Sequence, residues 1–129
     1  MNRAQPHSAI ENFLKIQPVT DPVFDNSGEL RVRFSLQNLP YPITLETNES
    51  YILVSATAQV PEHAVVESAA IAIEQMKMQK YSLQPIYVAL SSYNELIFCC
   101  FVSYPDCSAC DITNAVNLLV DAHKKRETR

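Results

Sequence analysis

Glycine is almost missing from this chain. Gly28 is the only one in 129 residues, where average usage of about 7% would supply roughly nine. Neither G-x-G-x-x-G nor G-x-x-x-x-G-K-[ST] can therefore be written, which excludes the dinucleotide fingerprint and the phosphate-cradling loop. No run of about 18 uncharged apolar residues occurs, so a membrane-spanning helix is not expected. The first residues, Met1-Asn2-Arg3-Ala4-Gln5-Pro6, lack the apolar stretch of a secretory signal, and a soluble cytoplasmic protein is expected. Positive charge is also in deficit. A formal charge of −4 with a pI near 5.3 argues against nucleic-acid binding, which calls for a basic face. The one basic cluster, Lys124-Lys125-Arg126 with Arg129, falls at the end of a predicted helix, where cations complement the macrodipole.

Catalytic signatures are missing too. There is no G-x-S-x-G and no H-E-x-x-H, and His7, His63 and His123 are scattered singly. His123 reads as a partner for the C-terminal carbonyls of its own helix. Asp106 and Asp111 suit a turn and a helix start better than an acid and base pair. The carboxylates give no reason to expect an enzyme, and no cofactor or metal is expected.

What the chain does have is 47% apolar residues in 14.5 kDa, enough for one packed core. Residues 1–7 read as a flexible N-terminus and residues 8–127 as a single α+β domain. Ser8 is positioned to cap a short helix carrying Ile10, Phe13 and Leu14, ended by Pro18. Val19 to Phe24 leads into the turn cluster Asp25-Asn26-Ser27-Gly28, where the glycine would supply a positive φ. Leu30, Val32, Phe34 and Leu36 alternate with polar residues, the period of a strand with one face buried. Ile43 to Glu46 and Tyr51 to Val60 follow, the latter placing Ile52, Val54, Ala56, Ala58 and Val60 on one face. Connections this short predict an antiparallel meander of three strands.

Pro61 to Lys80 reads as a helix with a core stripe of Val65, Val66, Ala69, Ala72, Ile73 and Met76. A second line, Ala64, Ile71 and Met78, lies on nearly the opposite side. Ile86 to Leu90 and Leu96 to Val102 are the last strands, joined by Ser91-Ser92-Tyr93-Asn94. Leu96 to Val102 is apolar without alternation, so it needs cover on both faces, by helices of its own chain and by a second subunit. A final helix from about Ser108 to Glu127 turns Ile112, Ala115, Val116, Leu119 and Ala122 inward.

Cys107-x-x-Cys110 at the start of that helix has dithiol spacing at a place where thiol pKa values fall. It comes late in the chain and has no glycine or proline between the cysteines, so ordinary reduced thiols are the favoured reading and a redox pair the alternative. Cys99 and Cys100 are adjacent on a strand and point to opposite faces, so they do not close a zinc cage with the other two.

The order α-β-β-β-α-β-β-α, the acidic pI and the amphipathic last helix resemble the class I type III secretion chaperones of Gram-negative bacteria. The likeness is strongest in Tyr93-Asn94-Glu95-Leu96-Ile97-Phe98 leading through Tyr104-Pro105-Asp106 into the final helix. Proteins of the YbjN type are similar in fold. The resemblance implies a cytoplasmic homodimer that binds the N-terminal region of a secreted effector protein and keeps it extended for export, without nucleotide. The client surface is expected at Phe13, Leu14, Ile16, Phe24, Val32, Phe34 and Leu45, and the dimer interface at Ala64, Ile71, Met78, Tyr87 and Phe98. The competing readings are the small dithiol redox protein using Cys107 and Cys110 and a regulatory or scaffolding protein of the same fold.

Overall fold

The computed structural model describes residues 4–25, 30–36, 39–78, 86–103 and 108–127, without the side chains of residues 4–6, 75–78 and 126. Among the described residues, three α-helices and six strands follow in the order α1 (Ala4–Ile16), β1 (Val19–Asp25), β2 (Arg31–Leu36), β3 (Ile43–Thr47), β4 (Tyr51–Gln59), α2 (Val65–Met78), β5 (Tyr87–Leu90), β6 (Glu95–Ser103) and α3 (Ala109–Glu127). The fold is α+β. The strands form one antiparallel sheet in the order β1-β2-β3-β4-β6-β5, so the meander is continued by β6 while β5 takes the far edge.

The alternation in β2, β3, β4 and β6 builds the core directly. Across the sheet, register places Phe34, Ile43, Ala56, Phe98 and Val88 in one row, and Val32, Leu45, Val54 and Cys100 in the next. All of these are buried except Val88, which is half-buried at the edge. The helices lie on this face. α3 crosses β4 and β6, α1 lies beside it, and α2 packs against α3, β5 and β6. α3 starts with a reciprocal cap, in which the Asp111 N–H donates to Ser108 Oγ (3.3 Å) and the Ser108 N–H donates to Asp111 Oδ2 (2.9 Å). Its buried stripe of Ile112, Ala115, Val116, Leu119 and Ala122 is as the spacing predicted.

Four expectations are corrected. Val19–Asp25 is a full strand, so four strands rather than three precede α2. α1 begins at Ala4, which puts Ser8 inside the helix instead of at its cap. In α2 the expected core stripe holds only in part. Val66 (82% exposed) and Ile73 (49%) point away from the protein, whereas Ala72 is buried and Val65, Ala69, Ala64 and Ile71 are half-buried. A helix apolar on both sides carries no internal marker of orientation, and packing against α3 and β5 sets its rotation. His123, finally, does not serve its own helix end. It is fully buried, its Nε2–H donates to the Ala56 carbonyl of β4 at 2.8 Å, and its ring stacks between Tyr41 (4.7 Å) and Phe98 (4.2 Å). Gly28 and its turn lie outside the described residues; the positive φ values that are described belong to Asp21 (51°) and Asn94 (60°).

Candidate binding surface

Because every helix lies on one side, the other face of the sheet has no cover from this chain among the described residues. Register fixes its side chains in rows. One row runs Asp25, Arg31, Glu46, Leu53, Phe101, and the next runs Val23, Arg33, Thr44, Ser55, Cys99, Tyr87. The first changes from charged on β1 to β3 to apolar on β4 and β6, and the second, after Val23 on β1, stays charged or polar through Ser55 and ends in Cys99 and Tyr87. Arg31 faces Asp25 on one neighbouring strand and Glu46 on the other, which keeps that half compensated and wet. The apolar half is organised around Phe101, whose ring meets Tyr51 at 4.6 Å and Tyr87 at 5.4 Å, both edge-on. Leu53, Ile97, Cys99 and Phe101 are half-buried by one another and by the sheet, while Tyr87 is half exposed.

The two edges of the sheet carry the remaining exposed large apolar residues. At the β1 edge Val23 (65%) points to the bare face and Phe24 (52%), opposite Val32, to the helix side, with Ile16 (68%) at the end of α1; Tyr87, Leu90 and Tyr93 lie at the β5 end of the sheet. The β1 edge is blocked against further strand pairing. Its register slips between Thr20 and Val23, Asp21 takes a left-handed φ and Pro22 has no N–H to donate.

Of the residues expected on a client surface, Phe13, Val32, Phe34 and Leu45 are buried and belong to the core. The helices cover the inward side chains of the central strands, and Phe13 packs on Phe34 with ring centroids 5.7 Å apart. Leu14 is half-buried against that core, and only Ile16 and Phe24 are open. Of the expected interface residues, Phe98 is buried beneath α3, Ala64 and Ile71 are half-buried, Tyr87 is exposed, and the side chain of Met78 lies outside the described residues. The second apolar side of Leu96 to Val102 was expected, but Ile97, Phe101, Leu53 and Val23 were not named as binding residues. Their signal was in the sequence: Leu53, Ile97 and Phe101 occupy the odd positions of strands whose even positions are already apolar.

The cysteines divide along the same lines. Cys100 points into the core, where burial and the neighbouring Cys99 push its thiol up to about 12. Cys99 points to the bare face and is also raised, by burial. Neither has the character of a nucleophile at neutral pH. Cys110 is exposed, with Asn114 Nδ2 donating toward its sulfur at 3.8 Å, and Cys107 lies outside the described residues. Among the described residues no three His, Cys, Asp or Glu side chains gather as metal ligands, and no helix is long and apolar enough to cross a membrane. A shallow cleft of about 530 Å³ between α3 and the segment after β2 is lined by Leu36, Leu39, Asn117, Leu118 and Lys124 among others, with no histidine or cysteine in its wall.

Comparison of the sequence with protein-family models and with curated proteins finds no match. The candidate contact surface is the bare face of the sheet with its two edges. Chemically it offers apolar contact beside compensated charge, which suits recognition of a polypeptide.

Proposed function

We propose that this chain is a non-enzymatic binding module of the secretion-chaperone type, which holds an extended segment of an exported protein in the cytoplasm and works as a homodimer. One observation carries the reading: the sheet is covered by helices on one face only, and its other face joins an aromatic cluster around Phe101 to a polar half. A client chain laid along that face would place apolar anchors on Leu53, Ile97 and Phe101, and its flank would reach Val23 on β1. Anchoring by side chains tolerates varied client sequence and needs no cofactor. An extended client loses conformational entropy on binding, which keeps affinity moderate and release feasible.

The test is affinity capture with the full chain, followed by mass spectrometry and limited proteolysis of the captured protein. The reading expects one partner whose bound segment is protease-sensitive when free, and whose capture is lost in Leu53→Lys and Phe101→Lys. A partner bound as a folded domain would replace this reading with the regulatory or scaffolding one. Capture that depends on Cys107 and Cys110 but not on Leu53 and Phe101 would replace it with the dithiol reading.

A further inference from the structure

The cleft beside α3 lies on the helix side of the sheet, opposite the bare face. It follows α3 from Asn114 to Lys124, a length of about 15 Å at the helical rise, and Leu36 and Leu39 form its other wall. Leu36, Leu39 and Leu118 give it apolar surface, while Asn114 and Asn117, both exposed and one turn apart, give it two primary amides. Asparagine suits the middle of a helix poorly, because its amide competes for backbone hydrogen bonds. Asn114 directs one N–H at Cys110 Sγ (3.8 Å), which leaves its carbonyl oxygen open. Charge in the cleft is uneven. Asp121 is compensated by Lys125 at 3.0 Å, whereas Lys124 makes no ion pair among the described residues, so one end carries a net positive charge. In a chain of net charge −4 this is a local reversal, and it sits in the one basic cluster of the sequence. A helix C-terminus accounts for a cation at this place, but not for the two amides and three leucines beside it.

We propose that this cleft docks an acidic linear segment of a partner protein, with an aliphatic side chain against Leu36, Leu39 and Leu118 and a glutamate or aspartate carboxylate on Lys124. An extended chain rises about 3.3 Å per residue, so the length of the cleft takes roughly four to five residues. An asparagine amide presents a carbonyl and an NH2 group, the same acceptor and donor that a peptide group presents. Asn114 and Asn117 therefore match the backbone of such a chain whatever its side chains. The carboxylate on Lys124 sets its register, and a basic segment is the wrong occupant because Lys124 repels it. The contact is short and open to water, which keeps it weak and sensitive to salt. Since the cleft and the bare face lie on opposite sides of the sheet, both can be occupied at once, and neither needs the other.

The probe is an acetylated and amidated peptide of alternating leucine and glutamate, titrated into the full chain by calorimetry. Blocked ends leave the side-chain carboxylates as its only charges. It is expected to bind with a dissociation constant of roughly 0.1 mM, and the same peptide with lysine for glutamate about tenfold more weakly or not at all. Lys124→Glu should weaken the glutamate peptide by about tenfold or more, and Asn114→Ala/Asn117→Ala by a similar factor. All three positions are exposed, so thermal melting should not fall. No binding of the glutamate peptide at about 2 mM would overturn the inference, as would binding that survives Lys124→Glu. An equal loss in Lys15→Glu, an exposed charge of α1 outside the cleft, would also overturn it, since the peptide would then be responding to net charge alone. Sodium octanoate tests a fatty carboxylate as the occupant. If octanoate displaces the peptide and its own binding is lost in Lys124→Glu, the cleft is a lipid site and the peptide inference falls. Loss of the peptide in Phe101→Lys would place it on the bare face and overturn the inference in the same way.

Discussion

On β6, Leu96, Phe98, Cys100 and Val102 turn toward the helices and are buried, whereas Ile97, Cys99 and Phe101 turn the other way and remain half-buried. The two sets are nearly equal in apolar content and differ in what they meet. The inner set faces α3, whose Leu119, Val116 and His123 complete the core. The outer set faces no element of its own chain among the described residues. Three helices are enough to cover one face of a six-stranded sheet, and the same strand chemistry therefore becomes core on one side and contact surface on the other.

The largest effect that would separate the two faces is expected at the phenylalanines. Phe98→Ala should cost about 3–5 kcal/mol of unfolding free energy, a large part of what a domain of this size possesses. Phe101→Ala should cost about 1 kcal/mol, the scale of its edge-on ring contacts. Urea unfolding of both variants measures the contrast, and equal losses would mean that the two faces are packed alike.

His123 sharpens the comparison from the helix side. It ties α3 to the middle of the sheet through Ala56, and Tyr41, which stacks on it, donates its hydroxyl to Glu127 Oε2 at 2.5 Å in the last turn of α3. His123→Phe keeps a ring between Tyr41 and Phe98 but removes the donor. A loss of about 1–3 kcal/mol is expected, the cost of a buried hydrogen bond left unmade. Unchanged stability would show that stacking alone holds the helix.

A smaller effect should appear in alkaline solution. The Cys100 thiol ionises near 9.0 when exposed and only at about 12 in the fold, so above pH 9 the unfolded chain has lost a proton that the folded chain keeps. Stability is then complete below about pH 9 and declines as pH rises toward the folded value. Thermal melting from pH 8 to about 10.5 should fall less steeply in Cys100→Ala than in the wild type. Cys99→Ala, on the bare face, should flatten the fall less, and the reverse order would contradict the assignment of faces.

The smallest effect on stability is expected for Leu53→Lys. Its long apolar stem can lie along the sheet with the ammonium in water, so melting should shift by the equivalent of about 0.5 kcal/mol or less. Client capture should nonetheless be lost. A variant that melts early while still binding would place Leu53 in the structural part of the molecule.

The sheet interior was legible because a period of two is a local property: Ile52, Val54, Ala56 and Ala58 had to share a side wherever the strand lay. The same holds for α3, where Ile112, Val116, Leu119 and His123 follow a helical period, and the last of these escaped notice only because histidine was read as polar. The candidate surface was less legible. Phe13, Phe34 and Leu45 were expected to exceed the needs of a short helix and a meander, but the sheet proved six strands wide and absorbed them.

The amino-acid sequence by itself determined the kind and order of nearly all the elements and which side chains within each strand face together, since these follow from spacing along one chain. It also ruled out nucleotide loops through its single glycine. Only the tertiary structure decided which face of β6 receives the helices, how α2 is rotated, and that Val19–Asp25 closes one edge while Tyr87–Leu90 leaves the other unblocked. Those outcomes depend on which elements meet, and an apolar side chain carries the same hydrophobic free energy whichever neighbour takes it out of water.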